Sequence, residues 1–186
     1  MSLRTRKLFK RLASASALLF FLLLTVWMIY LGMRPDRLSV GHPIPPLHYL
    51  TPEGDAQLRA DGLLATMVLY FHSQCKYCQY ELSVMNENLP SFAHTRLVLL
   101  SPETDFFAKG LMSKWPELSN ATNTCWGIVD GKQFAESFGN RVFPSIFLFD
   151  QQGRLSSKLF GEVKLSKILF ELKKSGGSER RVSGIN

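Results

Sequence analysis

Two short apolar runs constrain this chain more than anything else in it. LLATMVLYF (63–71) and TRLVLLS (95–101) carry β-branched and aromatic residues and are too brief for core helices. That composition predicts strands buried on both faces. Between them Leu82, Met85 and Leu89 recur at helical spacing, and Pro90 marks an end. A strand, a helix and a strand of these lengths predict parallel pairing through a right-handed crossover.

The remaining segments extend that plan. GHPIPPLHYLTPEGD suits a proline-rich spacer leading into a first strand or hairpin. Asp105 to Trp115 reads as a helix closed by Pro116, and CWGIV (125–129) as a third strand. KQFAESFG (132–139) is a short helix with a glycine stop. SIFLFD (145–150), the turn QQG and RLSSKLFG (154–161) form a hairpin. In 163–174, Leu165, Ile168, Leu169 and Leu172 share one helical face. There are no internal repeats. The expected class is α/β, a sheet with helices on both faces.

The front of the chain is a different kind of segment. LASASALLFFLLLTVWMIYLGM (12–33) holds 22 residues without a charge, enough to cross a hydrocarbon core of about 30 Å. Arg4, Arg6, Lys7, Lys10 and Arg11 precede it. That excess predicts a single-pass anchor with the N-terminus in the cytoplasm and the rest outside, as in a bacterial inner membrane. A cleaved signal peptide is the alternative, but the run ends in bulky WMIYLGM rather than small residues. Setting the five leading basic residues aside leaves 17 basic against 15 acidic residues. So small an excess gives no footprint for nucleic acid.

The expected organisation is therefore a basic tip (1–11), an anchor (12–33), a linker (34–46), a folded domain (47–174) and a disordered tail (175–186).

All three cysteines, Cys75, Cys78 and Cys125, fall in the exported part, where disulfides are permitted. Cys75 and Cys78 lie in YFHSQCKYCQYE, where the first apolar run gives way to the helix. If the helix begins at Cys75, its sulfur sits over free backbone N–H groups and the positive end of the dipole. Both stabilise a thiolate, and Lys76 adds a positive charge, so Cys75 is the expected nucleophile. Cys78, one turn on and more buried, can resolve a mixed disulfide. Cys125 reads as an inert strand thiol.

A metal site built from His72, Cys75 and Cys78 is the competing reading. No second close pair of ligands follows in the sequence, and His42, His48 and His94 are scattered. The expected chemistry needs no metal or other cofactor.

The sequence resembles the membrane-anchored thiol-disulfide oxidoreductases of the TlpA/ResA type, within the thioredoxin fold. YFHSQCKYCQYE matches their strand-C-x-x-C-helix motif, and FGNRVFPSIFLFDQQGRL matches their cis-proline and following strand. The segment at 103–129 fits their central αβ insertion. The resemblance implies a thioredoxin-like fold in which Pro144 is cis beside the cysteine pair. Phe143 would offer backbone groups to an extended substrate, and Glu81 would assist proton transfer at the thiols.

It also implies a reductant acting on exported cysteine-bearing proteins, apocytochromes for example, with a membrane electron-transfer protein resetting the dithiol. The chain departs from the pattern at Gln74, where Trp is usual, at Phe143, where a smaller residue is common, and at Lys76-Tyr77. A cation at Lys76 favours the reduced pair and raises its potential.

Two other functions use the same cysteines. Peroxiredoxins share the fold and insertion, but Val68 and His72 stand where their proline and threonine would be. Copper carriers of similar fold space their cysteines more widely and add a distant histidine, which this sequence does not show.

Overall fold

The computed structural model describes residue 16 and residues 18–28 and 38–176. The chain divides into two compact units at Asp36/Arg37. In the first, residues 18–28 are helical, a length of about 16 Å at 1.5 Å per residue. Among the described residues no helix is long and apolar enough to cross a membrane. The rest of the expected anchor, the basic tip, 34–37 of the linker and the tail beyond Gly176 lie outside the described residues.

The second unit is built on one seven-stranded sheet, ordered β2-β1-β5-β4-β3-β6-β7. Its strands are β1 (His48–Thr51), β2 (Gly54–Gln57), β3 (Ala65–Tyr70), β4 (Thr95–Ser101), β5 (Thr124–Ile128), β6 (Ser145–Phe149) and β7 (Leu155–Phe160). The helices are α1 (Lys76–Glu87), α2 (Pro116–Asn120), α3 (Gly131–Phe138) and α4 (Leu165–Gly176). β3, β4 and β5 run parallel, with Val68 opposite Val98 and Val98 opposite Cys125. β6 is antiparallel to β3, and the hairpin to β7 completes that edge.

Strand alternation divides the core in two. Met67 and Leu69 of β3 pack with Leu97 and Leu99 of β4 under Leu82 and Met85 of α1 and Ile168 of α4. Val68 and Tyr70 turn the other way, with Val98 and Leu100, against Phe134 and Phe138 of α3. All six residues of β3 are buried, which is why the run reads as continuously apolar rather than alternating. At about 25 cal/mol per Å² of apolar surface, burial on both faces anchors this strand firmly. It fixes the place where the next residues, 71–75, emerge.

Asp105 to Trp115 is not a helix: it makes turns, then a 3₁₀ segment at Leu111–Lys114. Gly110, at φ 61°, breaks the path there with left-handed backbone. Pro116 opens α2 instead of closing its predecessor, because a first-turn proline gives up an N–H that would be unpaired anyway. Asn86 of α1 caps α2 from outside, its Oδ1 accepting the N–H groups of Glu117 and Leu118 at 2.9 and 3.2 Å. Phe106 and Trp115 of the irregular stretch still reach the core, stacking with Trp126.

The proline-rich stretch lies along the start of β7. Gly41 and Ile44 donate to Leu155 and Gly153 carbonyls at 2.7 and 2.8 Å, and Leu155 donates back to His42. Leu38 and Leu47 are fully buried and pin the two ends of this stretch to the domain, while 39–43 between them stay exposed. At the other end α4 runs through Ser175, whose hydroxyl shares a hydrogen bond with Ser156.

Candidate functional site

The site forms at the C-terminal ends of the parallel strands. After β3, Phe71 is held by its N–H to the Leu100 carbonyl at 3.0 Å and by edge contacts to Phe106, Trp115 and Trp126. Four residues later the chain turns into α1: the Cys75 N–H donates to the His72 carbonyl at 3.0 Å. Cys75 is the N-cap of α1, with φ −75° and ψ 116°. Its Sγ accepts the Cys78 N–H at 3.3 Å, the place an N-cap oxygen would occupy. The sulfur therefore sits where the helix dipole favours negative charge.

The three cysteines are free thiols; Cys75 is half-buried and Cys78 fully buried. Burial pushes the Cys78 thiol well above its ordinary value, and its hydrogen bond with Cys75 pushes the same way. Gln74 and Lys76 flank Cys75 and are exposed. The arrangement offers one accessible sulfur with a second behind it, one turn along.

Glu81 lies one turn beyond Cys78 and is fully buried. Its Oε1 accepts the Val163 N–H, while Oε2 has no partner. Burial raises its carboxyl above the usual range; the Val163 N–H works against that, and the charge of Glu162 adds to it.

The Phe143–Pro144 bond is cis. The Phe143 ring lies 4.7 Å from Tyr70 and 5.6 Å from His72, centroid to centroid, so this loop meets the segment leading to Cys75. The Pro144 carbonyl accepts the Gly161 N–H at 2.9 Å. Among the described residues, no hydrogen bond takes up the N–H or carbonyl of Phe143. Val142, beside it, is exposed.

Glu103 carries no sequence signal, since it lies 28 positions beyond Cys75. It follows β4 at the same sheet edge and receives Ser73 N–H at 2.7 Å and Ser73 Oγ–H at 2.6 Å. Ser101 Oγ–H donates to it at 2.9 Å, and His72 Nδ1 stands 3.7 Å away. Burial pushes this carboxyl up, but the Ser73 and Ser101 donors and nearby His72 outweigh it and hold Glu103 below the usual range.

Cys125 is elsewhere. Its register opposite Val98 puts it on the α3 face of the sheet, where its Sγ lies 3.6 Å from the Tyr49 hydroxyl. Among the described residues, no set of three or more His, Cys, Asp or Glu side chains is gathered as metal ligands would be.

No family model and no curated protein matches the chain. Solved structures do. A thiol:disulfide interchange protein from Bacteroides sp. is similar at 18% identity and TM-score 0.60, over 77% of this chain and 95% of that one. The thioredoxin domain of a thiol-disulfide oxidoreductase from Bacteroides vulgatus aligns at 17% identity and TM-score 0.57, over 74% and 97%. A peroxiredoxin-like protein from Aquifex aeolicus gives 14% identity and TM-score 0.59, over 74% and 87%. The described domain thus has a thioredoxin-like α/β fold.

Proposed function

We propose that this chain is a thiol-disulfide oxidoreductase in which Cys75 attacks and Cys78 resolves. One observation carries the reading: Cys75 Sγ, half-exposed, caps α1 on the Cys78 N–H, with the buried Cys78 directly behind it. In the reducing direction Cys75 thiolate attacks a partner disulfide, forming a mixed disulfide and releasing one partner thiolate. Cys78, deprotonated, then attacks Cys75 Sγ, closing the internal disulfide and releasing the second partner thiol. Two electrons and two protons pass to the partner.

Burial disfavours the Cys78 thiolate, so the second step needs a base close by. Glu81, one turn away and buried with a free oxygen, takes that proton. The partner segment lies extended beside Phe143, whose unpaired N–H and carbonyl can hydrogen-bond it as an added strand would. A peroxidatic alternative is disfavoured, because His72 stands at the position of the activating hydroxyl and the Ser73 hydroxyl is committed to Glu103.

The domain is tethered to the inner membrane by residues 12–33 and works outside the cytoplasm. Supporting this, Leu18 to Leu24 are all exposed around their helix, and a helix apolar all round suits lipid. Its substrates are exported cysteine-bearing proteins, and a membrane electron-transfer protein returns the pair to the dithiol.

The test is trapping. Cys78→Ser in cells should leave Cys75 covalently joined to partners that reductant releases. If Cys75→Ser traps the same partners equally well, the assignment of the nucleophile is wrong.

A further inference from the structure

Glu103 takes no part in the sulfur chemistry above, yet it is bound more heavily than any other carboxylate near the site. Its side chain is only 10% exposed. Three donors from two segments converge on it: both polar groups of Ser73, and the Ser101 hydroxyl. Ser73 is held from the other side as well, its carbonyl accepting Gln79 Nε2 at 2.6 Å. The residue two before Cys75 is therefore clamped between the end of β4 and the first turn of α1. That matters because the Cys75 cap needs extended backbone at that one position, and displacements of about 1 Å in reacting groups cost rate heavily.

We propose that Glu103 is a positioning residue for the dithiol: through Ser73 it holds Cys75 at the N-cap, and its negative charge biases the pair towards the disulfide. The inference rests on the thiol-disulfide reading and adds its tuning. The two contributions have opposite signs. The clamp secures the cap and so supports the thiolate, whereas the charge opposes a thiolate at the same sheet edge. His72 Nδ1 stands 3.7 Å from this carboxylate, and the Lys109 ammonium also feels its charge.

Two variants separate the contributions. Glu103→Gln removes the charge and keeps an oxygen acceptor for Ser73, whereas Ser73→Ala removes one clamp bond and keeps the charge. The Cys75–Cys78 couple of the full chain is equilibrated against glutathione buffers, and its attack on a small aromatic disulfide is timed. Glu103→Gln should move the equilibrium towards dithiol by about threefold or more. Ser73→Ala should move it towards disulfide and slow the attack by about tenfold, as loss of a charge-assisted hydrogen bond implies.

Shifts of the same sign, or both variants within about twofold of the parent, overturn the proposal while leaving the oxidoreductase reading intact. Should Glu103→Gln fail to fold, an unchanged Ser73→Ala still overturns it. A parent chain that forms no Cys75–Cys78 disulfide defeats both readings together.

Discussion

Replacing Glu81 with Gln tests the buried carboxyl by its pH signature. Glu81 is fully buried, with Oε1 on the Val163 N–H and Oε2 without a partner. Burial raises its folded value above the unfolded one, so the folded chain holds the proton more tightly. The stabilising contribution is fully present below the unfolded value of about 4.3. It is lost as pH rises through the folded value, because a charged carboxylate must then stay buried. Glutamine cannot ionise, and its amide oxygen can keep the Val163 bond, so that bond cancels in the comparison.

What remains is the unpaired, desolvated Oε2, worth about 1–3 kcal/mol when charged. Urea unfolding of reduced protein at about pH 4 and about pH 8 measures it. The stability of Glu81→Gln relative to the parent should rise by about 1–3 kcal/mol between those conditions. Both proteins carry the same thiols, whose titration drops out. The same variant should slow closure of the Cys75–Cys78 disulfide by about 100-fold, the ordinary contribution of a positioned base. A stability difference constant with pH to within about 0.5 kcal/mol refutes the reasoning.

The other expectations are simpler. Asn86→Ala strips the side-chain acceptor from Glu117 and Leu118 at the start of α2 and should cost about 1 kcal/mol in urea unfolding. Cys125→Ser should leave the redox equilibrium of the other two cysteines unchanged, since Cys125 lies on the α3 face of the sheet. A measurable shift would place Cys125 in the redox path.

The parts legible in the sequence were those set by local periodicity. β4 fell where TRLVLLS predicted it, and α3 ended at Gly139, at φ 73°, as its glycine stop implied. The site was legible where strand, cysteine and helix are contiguous, because one sulfur at a helix start is a local geometry. The stretch from Asp105 to Trp115 misled because Phe107, Leu111 and Trp115 fall four apart, while Gly110 between them turns the backbone left-handed. Phe106 and Trp115 fill the space around Trp126 with only turns and a short 3₁₀ segment between them. Nor could the proline-rich stretch show that it would pair with Leu155, more than 100 residues away. Glu103 was invisible for the same reason: its meaning comes from parallel strands that bring the ends of β3 and β4 together.

Counting electrons at the cysteine pair tests the central claim most directly. Purified chain is equilibrated across a series of dithiol/disulfide buffers, and Cys75 and Cys78 are followed by alkylation and mass. The account predicts one cooperative two-electron transition in which the two sulfurs disappear and reappear together as a bond to each other. Independent one-thiol modification of Cys75, with Cys78 reduced throughout, would contradict it.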